Sequence, residues 1–137
     1  HPFQYKVIYE SGTVGNEDSY LMDYDGKNIE RVSGINMRKR VPTISADGKT
    51  IIFMGYEGEN SSIFALDSNG ENLRNLSGSL VECSHPSISP DNAYITFNSI
   101  VNGQDEIFIM NLDGTGLVQL TNIPGDDGDP SFMYQTH

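Results

Sequence analysis

Apolar and polar residues alternate in short runs along most of this chain. The clearest runs are IIFMG from Ile51 and YITFNS from Tyr94, and each precedes a second run, SSIFALD or DEIFIMN. Short runs with a two-residue period are typical of strands that bury one face. The chain also contains 14 Gly but only three Ala, which disfavours helices and favours strands joined by tight turns. The pattern therefore predicts an all-β protein.

The runs recur with a fixed period. Five sets of residues repeat at a spacing of 44 without an insertion or deletion: Pro42, Pro86 and Pro130; Asp25-Gly26, Asn69-Gly70 and Asp113-Gly114; Tyr9, Phe53 and Phe97; Tyr20, Phe64 and Phe108; and Val32, Leu76 and Leu120. An ordinary β-sandwich would not keep a fixed period. The repeat instead predicts several copies of one supersecondary unit.

Each unit is predicted to hold four strands, A to D. An Asp-Gly or Asp-Asn turn joins strands A and B, and an Asn-Gly or Asp-Gly turn joins strands C and D. Four strands in 40 to 50 residues are typical of a propeller blade. The twelve predicted strands are 5–10, 18–24, 29–33, 42–45, 50–55, 62–67, 72–77, 86–89, 94–99, 106–111, 117–121 and 130–134.

Apolar residues on the alternating positions of these strands are predicted to form the core between blades. The candidates are Val7, Tyr9, Tyr20, Met22, Ile44, Ile51, Phe53, Phe64, Leu66, Leu76, Ile88, Ile95, Phe97, Phe108, Met110 and Leu120.

The repeat resembles a known family. HPSISPDN, YITFNS and DEIFIMNLDGTGLVQLT, read from His85, are similar to the TolB-type, WD40-like β-propeller repeat. The second unit departs from the family pattern with Ala46 in place of a proline, and the third unit departs with Asn92 in place of a glycine. The resemblance implies a propeller fold and favours a periplasmic or exported location. It says less about function, because such blades occur in scaffolds and in enzymes.

We expect one domain over residues 1–137, with repeats at 5–40, 41–84 and 85–128 and a spare strand A at 129–137. Three blades cannot close a ring, since propellers have about four to eight. Two copies would supply six blades, and the spare strand of each copy would complete the first blade of the other. Basic Arg38-Lys39-Arg40 and acidic Asp126-Asp127 occupy equivalent repeat positions 88 apart, so opposite charges would meet across the seam. The sequence therefore predicts a homodimer of about 30 kDa, twice the 15.1 kDa chain. The alternative is that these residues are half of a longer single-chain propeller.

The charge balance excludes one class of partner. The chain carries 19 acidic and eight basic residues, for a formal charge of −11. Nucleic acid attracts basic surfaces, so no nucleic-acid partner is expected. No stretch approaches the roughly 18 apolar residues of a membrane span, so no membrane insertion is expected. The lone Cys83 excludes an internal disulfide framework.

The connections from strand B to C and from strand D to A share one side of a propeller and are the least repetitive parts of the unit. They cover 11–17, 56–61 and 100–105, and 34–41, 78–85 and 122–129. Scaffolds vary their loops where they bind. The predicted ligand or partner residues are Arg38, Arg40, His85, Asp126, Asp127 and Asp129. The aspartates of the repeated turns are expected to be structural.

Two weak metal candidates remain. His85 and Asp129 both precede the strand A proline, so they would lie on adjacent blades near the mouth of the channel and could hold a metal or a polar ligand. The alternative is that each bonds only to backbone. The oxygen-rich stretch Gly125–Asp129 suggests weak Ca²⁺ binding, with a solvated acidic turn as the alternative. No other cofactor is predicted.

The function favoured by these features is a non-catalytic binding or scaffold module that engages a protein or small ligand through the variable side and channel mouth. One alternative is a metal-dependent enzyme similar to oligogalacturonate-lyase-like propellers. Another is the propeller part of a prolyl-oligopeptidase-like protein, although no Gly-x-Ser-x-Gly motif is present in this chain.

Overall fold

A computed structural model describes residues 6–13, 17–35 and 37–122, and every regular element in these ranges is a β-strand. No helix capable of crossing a membrane occurs among them. The strands are β1 Lys6–Ser11, β2 Asp18–Asp23, β3 Glu30–Arg31, β4 Lys39–Ile44, β5 Thr50–Glu57, β6 Asn60–Asp67, β7 Arg74–Asn75, β8 Ser84–Ile88, β9 Tyr94–Val101, β10 Gln104–Asn111 and β11 Val118–Gln119. The all-β prediction is confirmed.

The strands form three antiparallel sheets that follow the 44-residue repeat. Strands β1–β3 form the first blade, β4–β7 the second and β8–β11 the third, each with consecutive strands adjacent. The described part of the first blade begins at strand B, as the sequence predicts. The twelfth predicted strand, at 130–134, lies outside the described residues. The predicted propeller segment of three blades is thereby confirmed.

Aromatic pairs sit at the same place in every blade. On strands B and C the paired rings lie directly opposite each other in register, as stacked rings with centroids 5.6 Å apart. Such pairs stabilise a sheet beyond the apolar area they bury. The pairs are Tyr9 with Tyr20, Phe53 with Phe64, and Phe97 with Phe108.

The core consists of two layers between successive blades. The first layer joins Leu21 and Val32 of the first blade to the Phe53–Phe64 side of the second. The second layer joins the opposite side of the second blade to the Phe97–Phe108 side of the third, and it includes the buried Cys83. The sequence missed several fully buried members of these layers: Ile52, Ile63, Ala65 and Cys83.

Two predicted core residues are wrong. Val7 is 38% exposed and Leu120 is 54% exposed, whereas their repeat equivalents Ile51 and Val32 are 0% and 7% exposed. The physical reason is the position of the blade. Ile51 and Val32 lie between two blades, but Val7 and Leu120 lie on the outer sides of the first and third blades. The remaining candidates are buried or half-buried.

The structure also corrects the strand bounds. Each strand D is only two residues long, and in the second and third blades a side chain replaces the backbone acceptor beyond it. The Ile63 N–H donates to the Ser77 hydroxyl at 2.9 Å, and the Ile107 N–H donates to the Thr121 hydroxyl at 2.9 Å. This explains why the residue after Leu76 and Leu120 is Ser or Thr.

The connections between strands B and C are shorter than predicted. In the second blade Glu57 pairs with Asn60, and in the third Val101 pairs with Gln104, which leaves two-residue turns. Asn102 and Gly103 both have positive φ, 52° and 79°, as a tight hairpin requires. The expected loops 56–61 and 100–105 are therefore mostly strand. In the third blade the Asn-Gly pair that signals this hairpin was present in the sequence.

Candidate functional site

The two rims of the propeller segment differ in whether their polar side chains bond to their own turns or face outward. The turn rim comprises the A-to-B and C-to-D turns, residues 23–29, 45–49, 67–73, 89–93 and 111–117. The loop rim lies at the other end of the strands and comprises residues 11–13, 17, 37–40, 56–60, 80–85 and 100–105. All the predicted binding residues that the structure describes belong to the loop rim.

On the turn rim, repeated serines and aspartates bond to one another. The Ser45 hydroxyl donates to the Asp47 carboxylate and accepts the Thr50 N–H, at 2.6 and 3.1 Å. Ser89 and Asp91 form the same bond at 2.6 Å in the third blade. These bonds hold the turn between strands A and B closed, so the Ser-x-Asp motif is structural.

The C-to-D turns close in a similar way. Asp25, Asn69 and Asp113 each accept the N–H two residues later, at 2.9 to 3.1 Å. The glycine that follows has positive φ in all three blades, between 83° and 89°. A residue with a Cβ rarely adopts this conformation, which explains the repeated Asp-Gly and Asn-Gly pairs.

Hydrogen bonds keep several of these carboxylates ionised. The Ser45 hydroxyl lowers the pKa of Asp47 below its usual value, and the Ser89 hydroxyl lowers the pKa of Asp91. Thr115 lowers the pKa of Asp113 in the same way. A carboxylate that accepts such bonds favours its charged form. Asp47, Asp91 and Asp113 therefore stabilise the fold as anions.

We expect acid to destabilise the protein through these turns. These aspartates have lower pKa values in the folded than in the unfolded protein. As the pH falls below about 4, the unfolded chain therefore binds more protons than the folded chain, and stability decreases until the folded carboxylates are protonated as well. Melting temperature measured from pH 6 to pH 2.5 should fall. The Ser45→Ala/Ser89→Ala variant should be less stable than wild type at pH 6 and lose less on acidification. Ser68→Ala, whose hydroxyl bonds neither carboxylate, is the control, and identical pH profiles for all three proteins would contradict the expectation.

The loop rim presents side chains outward. The Arg38 guanidinium lies over the Tyr56 ring, 4.0 Å from its centroid, and both residues are tied by a bond from the Tyr56 N–H to the Arg38 carbonyl at 2.9 Å. Arg38 is exposed and Tyr56 half-buried. A cation held over an aromatic ring keeps its charge while its position is fixed. The sequence missed Tyr56, although pairing strand A with strand B would have placed it opposite Arg38.

Arg40 is also exposed, but it lies in β4 rather than in the predicted loop, because it pairs with Met54. Lys39, between the two arginines, turns the other way and donates to the Glu17 carbonyl at 3.1 Å. This bond ties the second blade to the first. Arg38 and Arg40 thus form a small basic patch on a fixed backbone.

The next part of the loop rim is acidic and apolar. Glu57, Glu59 and Glu82 are exposed, and Val81 is 48% exposed. The Glu82 N–H donates to Asn60 Oδ1 at 2.9 Å, which fixes this loop against the second blade. Basic, apolar and acidic groups therefore follow one another along the rim.

His85 lies in β8 and not in the predicted loop. Its φ is 53°, and that of its repeat equivalent Val41 is 54°, and both sit where the pairing register shifts. A left-handed residue in a strand marks a bulge and is strained for Val, less so for His. The exposed His85 ring has Nδ1 3.1 Å from the Ser84 hydroxyl. The bulge thus fixes the backbone at position 85 and leaves the His85 ring exposed on the loop rim.

The other predicted site residues cannot be placed. Asp126, Asp127 and Asp129 lie outside the described residues, as does the whole stretch Gly125–Asp129. The pairing of His85 with Asp129 as metal ligands and the weak Ca²⁺ site therefore stay predictions. In the described ranges no group of three or more His, Cys, Asp or Glu side chains is arranged to hold a metal ion.

Comparisons with known proteins support the repeat. A curated Tol-Pal system protein TolB from Geobacter sulfurreducens is 36% identical over 50 residues, which are 36% of this chain and 12% of that protein. The structure of the protein assigned as TolB in Agrobacterium tumefaciens superposes with a TM-score of 0.72 at 21% identity, covering 90% of this chain and 47% of that one. The chain thus spans less than half of either relative.

Similar blades also occur in an enzyme. An oligogalacturonate lyase solved in complex with manganese has a TM-score of 0.66 at 15% identity, covering 88% of this chain and 39% of that one. At this identity the likeness concerns the fold alone. The family model of the TolB β-propeller domain, in contrast, matches residues 2–136. Together with the three blades and their repeated turns, this match shows that the chain belongs to the TolB β-propeller domain family.

Proposed function

We propose that this chain is a non-catalytic protein-binding module that engages its partner through the loop rim. The observation that carries the proposal is the contrast between the two rims. On the turn rim, the same polar side chains bond to their own turn in successive blades. On the loop rim, equivalent positions carry different residues, and Arg38, Arg40, Val81 and Glu82 are exposed. Exposed side chains that vary over a repeated scaffold are suited to recognition.

The chemistry of the rim favours a protein partner. A patch with two arginines, an aromatic ring beneath one of them, an exposed valine and several glutamates matches the mixed composition of protein interfaces. Arginine and tyrosine are also enriched among the residues that dominate binding energy. The curated relative is a Tol-Pal system protein, so we propose a Tol-Pal system component as the partner and the periplasm as the location.

Charge reversal tests the proposal. The variant Arg38→Glu/Arg40→Glu should weaken binding to a panel of purified Tol-Pal system proteins at least tenfold, a loss of about 1.4 kcal/mol. The matched control is Lys27→Glu/Lys49→Glu, which changes net charge equally at exposed positions of the turn rim. Biolayer interferometry measures both. Failure of every component to bind would refute the proposed partner, and equal losses in the two variants would refute the loop rim as the binding surface.

A second assay addresses the enzyme alternative. The purified protein is analysed for bound transition metals and incubated with oligogalacturonate. We expect no stoichiometric metal and no cleavage. A stoichiometric metal together with cleavage would overturn the non-catalytic proposal in favour of a lyase.

We further propose that the three described blades close into a ring with the blades of a second copy, as the sequence predicts; further blades of a longer chain are the alternative. The strand predicted at 130–134 would be exchanged between the copies. This exchange stays a prediction, and a deletion of residues 129–137 that leaves the dimer's dissociation constant unchanged would contradict it.

A further inference from the structure

The chain contains two Asn-Gly pairs, and the fold gives them different surroundings. Asn69-Gly70 lies in the turn between β6 and β7 on the turn rim, and Asn102-Gly103 forms the turn between β9 and β10 on the loop rim. Asparagine is a chemically labile residue, and a glycine after it leaves the next backbone nitrogen without a side chain to shield it. Both asparagines are exposed, so exposure alone does not separate the two pairs.

Hydrogen bonds hold both reacting groups of the Asn69-Gly70 pair. Asn69 Oδ1 accepts the Glu71 N–H at 3.1 Å, and Asn69 Nδ2 donates to Glu71 Oε2 at 3.5 Å. The Gly70 N–H donates to the Asp67 carbonyl at 2.8 Å. The turn also packs against the first blade, since a Cβ at Gly70 would overlap the Ser33 hydroxyl. The amide and the backbone nitrogen are thus engaged in separate contacts.

The Asn102-Gly103 pair lacks these restraints. Among the residues that the structure describes, neither the Asn102 amide nor the Gly103 N–H has a hydrogen-bond partner. A Cβ at Gly103 would meet nothing within 4 Å, so the turn projects away from the rest of the blade. The pairing of Val101 with Gln104 closes the turn, and exposed hairpin tips open locally at little cost in free energy.

We propose that Asn102 is a site of spontaneous deamidation and that the fold protects Asn69 from the same reaction. The Gly103 nitrogen attacks Cγ of Asn102 and forms a new C–N bond. The bond from Cγ to Nδ2 breaks, and the amide leaves as ammonia with the proton of the Gly103 nitrogen. Water then opens the five-membered succinimide. Opening at the side-chain carbonyl gives aspartate, and opening at the backbone carbonyl gives isoaspartate.

The products change the loop rim in charge and in backbone length. Either product adds a negative charge at the tip of the third blade. In isoaspartate the main chain runs through Cβ and Cγ, so the turn gains a backbone atom and no longer matches the register of Val101 with Gln104. The proposal is independent of the binding role proposed above, because it concerns the chemistry of a single turn.

Peptide mapping by mass spectrometry tests the selectivity in the full chain, kept folded at mildly alkaline pH and sampled over time. Each hydrogen bond that must break first slows the reaction severalfold, so Asn102 should deamidate about tenfold faster than Asn69 or more. In concentrated urea the two rates should converge, because neither pair then has folded surroundings. An intact Asn102, equal rates in the folded protein, or a tenfold difference that persists in urea would overturn the proposal.

Two variants supply matched controls. Asn102→Gly removes the amide and keeps a residue that adopts positive φ, so the fast appearance of acidic species on ion exchange should be lost. Asn69→Asp introduces the residue found at the repeat equivalents Asp25 and Asp113, and further acidic species should then form at the wild-type rate. Loss of the fast species in Asn69→Asp, or its persistence in Asn102→Gly, would refute Asn102 as the site.

Discussion

Replacing Phe97 with alanine is expected to lower the free energy of unfolding by about 3–5 kcal/mol. Phe97 is fully buried, stacks on Phe108 and lies in the layer between the second and third blades. Its loss removes the transfer free energy of the ring and leaves a cavity that surrounding strands fill only partly. A small domain has a total stability of about 5–15 kcal/mol, so the variant should be close to unfolding.

Urea unfolding followed by circular dichroism measures the effect of Phe97→Ala at one fixed protein concentration, because the proposed association would also contribute to stability. The control is Tyr94→Ala on the same strand. Tyr94 is 44% exposed, so its replacement should cost about 1 kcal/mol or less. Similar losses in the two variants would show that the interblade layer is not the main source of stability.

Alanine at Gly34 is expected to cost more than alanine at Gly26, although the two residues share nearly the same backbone conformation. Their φ values are 86° and 83°. A Cβ at Gly26 meets nothing within 4 Å, whereas a Cβ at Gly34 overlaps the carbonyl oxygen of Gly70 in the neighbouring blade. Gly26→Ala therefore reports left-handed strain alone, about 1–2 kcal/mol. Gly34→Ala adds an overlap with backbone, a further cost of about 1–3 kcal/mol.

The difference between the two glycine variants measures how closely the blades approach. Thermal or urea unfolding of wild type, Gly26→Ala and Gly34→Ala gives the three free energies. Equal losses at the two positions would mean that the first and second blades do not make this backbone contact. The second and third blades also approach closely, since a Cβ at Gly114 would lie 2.9 Å from Leu76 Cδ2.

The local structure and its repetition follow from the amino-acid sequence. The 44-residue period, the order of the strands and the turns with Asp-Gly and Asn-Gly were predictable, because they depend on side-chain alternation and on backbone preferences within a few residues. The family resemblance followed from the same residues. The two-residue turn at Asn102-Gly103 was equally local, and reading that signal would have replaced a predicted loop with a hairpin.

The packing of the blades determines which repeat positions are buried and which contacts cross between blades. Leu76 and Leu120 occupy the same repeat position, yet one packs in a layer and the other is 54% exposed. Burial depends on whether another blade lies against the residue, and no property of the residue itself carries that information. The same holds for Arg38 over Tyr56 and for Gly34 against Gly70, because side chains and turns distant in sequence meet only when strands pair and blades pack.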